Sequence, residues 1–211
     1  MAHQPDLAIV RIRGYKVAMT LYELLLFVHI GASIVWIGAG FLSLLLATTY
    51  DRESDEAAIK RFLHDQEWLA MRLFIPGSLV VVIFGIALVI ESDAWSFDQL
   101  WIVLGLIGYA ATFVTGLFFI KPASERIAGE MEAQGGRLSP RLRADIRKLI
   151  VTARVDYVTF ALVVFDMVAK PTGDDTGVLV AMGLILAAGI AYIVVSVRAI
   201  EAASAQAPAA A

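Results

Sequence analysis

The chain has no cysteine among its 211 residues. Disulfides, thiolate metal sites, cysteine nucleophiles and haem linked through cysteine are therefore excluded. Charge is scarce too: 18% of residues are Asp, Glu, Lys or Arg, against about a quarter in an average soluble domain. The net charge of −3 offers no basic surface for nucleic acid. Soluble-enzyme signatures are missing: there is no Walker loop, no dinucleotide-binding glycine turn, no HExxH and no GxSxG. Histidine occurs three times, at His3, His29 and His64, and no His-rich or Met-x-Met run suits copper.

Apolar residues are abundant. They make up 59% of the chain, and mean hydropathy is +0.76. A bilayer core of roughly 30 Å takes about 20 apolar residues in a helix. Five segments reach that length, near residues 18–48, 69–90, 100–120, 150–169 and 178–197. Lipid offers no partner for backbone N–H and C=O groups, so the spans are expected to be helices. The expected fold is all-α: a polytopic transmembrane bundle of five spans, with a four-helix core and one added helix. Residues 1–200 form one membrane domain, and residues 201–211 are expected to be a disordered tail. The first apolar run is about twice the length of a signal-peptide core, so it is expected to remain as an uncleaved span.

Basic residues are unevenly shared between the loops. The N-terminal tail and the loops at 91–98 and 170–177 carry Arg11, Arg13, Lys16 and Lys170. The opposite side carries Arg52, Lys60, Arg61, Lys121, Arg126, Arg137, Arg141, Arg143, Arg147, Lys148 and Arg198. The positive-inside rule makes the second side cytoplasmic, with the N-terminus outside and the C-terminus inside. Ser139 followed by Pro140 reads as an N-cap and first helical position. The HDQE run at 64–67 is expected to cap the second helix.

Polar groups within spans are costly, so each is a functional candidate. They are Glu23 and His29 in the first helix, Arg72 in the second, and Arg154, Asp156 and Asp166 in the fourth. On a helical wheel His29 shares a stripe with Ala32, Ser33, Trp36, Ala39, Gly40, Ser43 and Ala47, and small residues mark close helix approach. Asp166 and Lys170 are spaced i, i+4, so they lie on one face and can pair, and Lys170 can also snorkel to the interface. His29, Asp166, Met167 and Lys170 are brought to similar depth in the outer half by this topology. Gly177, Ala181, Ala188, Ala191 and Tyr192 are expected to form the packing seam of the last helix.

Three motifs carry a resemblance: FVHIGASIVWIGAGF at 27–41, FIPGSLVVVIFG at 74–85 and FDMVAKP at 165–171. In this order they resemble a bacterial family of predicted integral membrane proteins, itself similar to the copper-resistance D proteins and the J-type membrane protoporphyrinogen oxidases. The resemblance implies the bacterial inner membrane, and it implies haem b binding and porphyrinogen oxidation through His29 and Lys170. The stretch after the first motif, LSLLLATTYDRE at 42–53, departs from those oxidases and carries no second histidine.

Three readings follow. The first is a haem-binding or redox membrane protein, with His29 as iron ligand, Trp36 beside it and Met167 as the candidate second ligand. Against it stands a His29 that only makes a buried bond between helices. The second is an accessory subunit acting through helix packing, with a membrane partner or a second copy. The third is a small transporter lined by Glu23, Arg154, Asp156 and Asp166.

Overall fold

The computed structural model describes residues 7–12, 15–50 and 55–206. The chain opens on an antiparallel ribbon of β1 (Leu7–Ile12) and β2 (Tyr15–Thr20), with Leu7 opposite Thr20. Valine, isoleucine, tyrosine and threonine suit extended backbone, and the strand runs into residues expected to begin the first span. Helix α1 (Leu21–Tyr50) starts where a Thr-x-x-Glu box closes. The Thr20 amide donates to Glu23 Oε2 at 2.8 Å, and the Glu23 amide donates to Thr20 Oγ1 at 3.2 Å. Arg13 and Arg52, counted in the charge balance, lie outside the described residues.

The remaining helices are α2 (Glu56–Leu69), α3 (Ile75–Glu91), α4 (Leu100–Val114), α5 (Lys121–Ala133), α6 (Pro140–Ala169) and α7 (Thr176–Gln206). Two π-helical stretches, Ala70–Phe74 and Thr115–Ile120, join α2 to α3 and α4 to α5. Each ends just before a proline in the first turn of the next helix, Pro76 and Pro122. Proline supplies no N–H and clashes with the carbonyl four residues back; a wider turn relieves that clash and keeps each rod continuous.

Four helical rods are long and apolar enough to cross a membrane: Leu21–Tyr50, Ala57–Glu91, Leu100–Ala133 and Thr176–Ala205. The expected fourth span is not among them, because the apolar half of α6 carries Arg154, Asp156 and Asp166. That helix is nevertheless central. It packs against α1, α4 and α7, while α3 lies along α1. Its neighbours cover polar groups that lipid would not tolerate.

The chain also forms a compact cap at one end of the bundle. Ile59, Phe62 and Leu63 of α2 pack with Ile127 and Met131 of α5, and with Leu142, Ile146 and Ile150 of α6. Tyr50, from the end of α1, stacks on Phe62 at 4.7 Å. The charged outer faces of α2 and α5 suit a cap that meets water. Asp55 caps α2 by accepting from the Ala57 amide at 2.9 Å, so the HDQE run lies inside that helix and does not cap the next. Ser139 caps α6 as expected, accepting from the Leu142 amide at 3.3 Å. Helix α7 continues through Glu201 to Gln206, past the point where a tail was expected; residues 207–211 lie outside the described residues.

The packing seam of α7 differs from the expected one. Ala181, Ala188, Ala191 and Tyr192 are exposed, and Leu179, Met182, Leu186, Gly189 and Ile193 face inward. Gly189 lets α7 approach Val158, whose Cγ2 lies 3.3 Å from where a Cβ would stand. One glycine at the crossing was enough for close approach, and the alanine stripe faces away.

Candidate functional site

The first two motifs meet in space, while the third turns to α4 and to the Trp95 and Trp101 rings. On α1, the buried residues Trp36, Ala39 and Gly40 all belong to the stripe anticipated for His29. His29 itself is half-buried, and its Nδ1 lies 2.8 Å from the Val81 carbonyl oxygen of α3. A carbonyl only accepts, so Nδ1 carries the proton and Nε2 keeps its lone pair. Gly85 makes room for the ring: a Cβ there would stand 3.0 Å from His29 Cε1. In a helix the amide at 85 points to the carbonyl at 81, so the imidazole shares an acceptor with α3's own ladder. Ser33 Oγ turns back to the His29 carbonyl at 2.7 Å.

Two turns further along α1, Trp36 is the centre of an aromatic cluster. Its ring meets Phe160 edge-on at 4.8 Å and Tyr109 at 5.7 Å, tying α1 to α6 and α4. Gly77 of α3 lies against the Trp36 Cβ. Tyr157 donates its hydroxyl to the Gly40 carbonyl at 2.8 Å. The sequence offered only a hint of that bond, in the small residue at position 40.

The fourth-helix cluster separates. Lys170 ends α6 in the left-handed conformation, at φ 47°. That turn takes its side chain off the face of Asp166. The ammonium lies 4.3 Å from the Trp95 ring centroid and 5.4 Å from that of Trp101, a cation–π site. Of the two possibilities for Lys170, the pair with Asp166 is therefore not formed among the described residues. Trp95 Nε1 donates to the Tyr22 hydroxyl at 3.2 Å, which brings the start of α1 level with the end of α6. Asp166 is 1% exposed, and neither of its oxygens has a hydrogen-bond partner among the described residues. Past Lys170, Asp175 accepts from the Thr172 amide at 2.8 Å and the Thr172 hydroxyl at 2.9 Å. Those two bonds hold its carboxyl below the usual range.

Met167 turns to α4, where its Cε lies against Gly105, whereas His29 turns to α3. The two candidate axial ligands thus have different neighbours. Among the described residues no group of three His, Asp or Glu side chains could hold a metal ion. Glu23 belongs to the capping box, and Arg154 donates to the Tyr192 hydroxyl of α7 at 2.7 Å. Arg72 is exposed in the π-helical stretch before α3, and Asp156 is half-buried on α6.

Close approach of α4 and α6 depends on glycine. A Cβ at Gly108 would collide with Val163 Cγ2, a branched side chain with little freedom to retreat. Gly108→Val is expected to destabilise the bundle by about 1–3 kcal/mol, read as a lower thermal midpoint in detergent. Gly116→Val, where a Cβ meets nothing within 4 Å, is expected to leave the midpoint unchanged.

The comparison with curated proteins gives no match, and neither does that with solved structures. A family match covers the region from the first polar residue of α1 to the proline that follows α6. Residues 23–171 match the family described as "Predicted integral membrane protein (DUF2269)", and the chain belongs to that family.

Proposed function

We propose that the protein is a redox-linked, haem b-binding protein of the bacterial inner membrane, with His29 Nε2 as the axial ligand this chain supplies. One observation carries the reading. The Nδ1–H of His29 donates to the Val81 carbonyl, which fixes the ring and its tautomer and leaves Nε2 for a metal. Ligating histidines are typically held this way by a second hydrogen bond. Haem would supply the one-electron couple; the chain supplies orientation and apolar surroundings. Met167 is not part of this reading, since it turns to α4.

In the same reading α6 crosses with the four apolar rods, and the N-terminus is outside. The basic residues of α2, α5 and the start of α6 support a cytoplasmic cap. His29 then lies in the outer half, about 10 Å along α1 from Tyr22 at 1.5 Å per residue. The test is the absorption spectrum of the purified chain after haem supplementation. A Soret band at one haem per chain is expected, and its absence would remove the proposal.

A second reading, an accessory subunit acting through helix packing, draws support from α7. Its outward face carries Ala181, Leu184, Ala188, Ala191 and Val195, all exposed, and small residues favour helix contacts in membranes. A chain that purifies as a lone monomer in mild detergent would contradict this reading.

A further inference from the structure

Helices α4 and α7 both pack on α6, and a cleft of about 360 Å³ opens between them. Its walls are apolar and include Leu104 and Ile107 of α4, and Leu179, Met182 and Leu186 of α7. Asp166 lines the same cleft from α6. Its carboxyl is 1% exposed, with both oxygens unpartnered among the described residues. An ionised carboxylate buried without a partner is strongly disfavoured. The nearest cation along the chain, Lys170, is held on the Trp95 and Trp101 rings. A carboxylate in this state calls for N–H donors brought by another molecule.

Depth and shape narrow the class of that molecule. Asp166 is four residues, about 6 Å, from Lys170 at 1.5 Å per residue. Tryptophan and lysine together mark the headgroup level of a bilayer. The rest of the cleft runs along apolar residues inside two of the membrane-spanning rods. A ligand matching this layout has a donating, positive head near the membrane surface and an apolar body along the helices. The cleft volume falls within the ordinary range for small-molecule sites. We infer that the cleft between α4, α6 and α7 is a binding site for an amine-headed phospholipid, whose ammonium donates to both oxygens of Asp166. The site lies on the α4 and α7 side of α6, away from the His29–Val81 contact, and does not depend on the haem reading.

The test uses the full chain in detergent, equilibrated with equal amounts of phosphatidylethanolamine, phosphatidylcholine and phosphatidylglycerol bearing the same acyl chains. Retained lipid is counted by native mass spectrometry. The native chain is expected to keep phosphatidylethanolamine about tenfold over the other two, the scale of a charge-assisted hydrogen bond. Phosphatidylcholine has the positive charge but no N–H, so it isolates the donors. Asp166→Asn is expected to bring phosphatidylethanolamine down to the level of phosphatidylcholine. Leu186→Trp, which fills the cleft from α7 and leaves the carboxyl intact, is expected to lower it as well, and decides the matter if the Asn variant does not fold. Equal retention of the three lipids by the native chain would overturn the inference. So would an unchanged preference in the folded Asp166→Asn variant, or displacement by a long-chain primary amine with no preference among phospholipids.

Discussion

Replacing Leu142 by alanine is expected to lower the stability of the protein by about 2–5 kcal/mol, the range for emptying a buried leucine site. Leu142 is fully buried, as is Ile127 of α5 across from it. It sits one turn into α6, just after the Ser139 cap, where the helix leaves the cap cluster for the bundle. The cluster around it is built as a soluble core is built, with isoleucine, leucine, phenylalanine and methionine from three helices. Water, not lipid, drives its burial, so the hydrophobic effect acts at full strength there. Within the bundle the lipid tails are as apolar as the side chains, and the same truncation costs less. Leu184→Ala on α7, where the side chain is 66% exposed, is therefore the matched control, expected within about 0.5 kcal/mol of the native chain. Thermal unfolding in detergent micelles reads both. Equal midpoints for the two variants would mean that the cap contributes little.

This cap is the part of the fold that was least legible from the sequence. Long apolar runs announce themselves by composition, and the start of α6 was marked by Ser139 and Pro140. The segments 56–69 and 121–133 have short, mixed patterns broken by charges. They become helices with a buried face only because both meet the start of α6. The π-helical stretches and their prolines explain why each joins its span without a loop.

The candidate site was legible in its parts and not in its partners. The wheel of α1 correctly gave the buried stripe of Trp36, Ala39 and Gly40, since a face of small residues has one physical use in a membrane. The i, i+4 rule failed for Asp166 and Lys170 because it assumes that both residues are helical, and Lys170 leaves the helix in the left-handed conformation. Pro171 after it was the available signal. Glu23, singled out as an intramembrane polar group, also closes a capping box with Thr20, which the Thr-x-x-Glu spacing signalled. Gly85 was visible as a motif residue; its purpose, making room for the His29 ring, needed the second helix.

His29 carries the central claim, and the two accounts of it differ in magnitude. As a helix–helix hydrogen bond it is worth little: interhelical bonds in membranes average about 0.6 kcal/mol, and the Val81 carbonyl keeps its ladder position in α3. As an iron ligand it is indispensable, because His64 lies in α2, the helix that builds the cap, and His3 lies outside the described residues. The most direct measurement is the visible absorption spectrum of haem-supplemented native protein beside His29→Gln. Glutamine can still donate an N–H to Val81, so the bundle keeps its bond and its thermal midpoint, but it offers no imidazole. The account predicts a Soret band at one haem per chain in the native protein and loss of that band in a folded His29→Gln variant. A native protein without the band, or a variant that retains it undiminished, would contradict it.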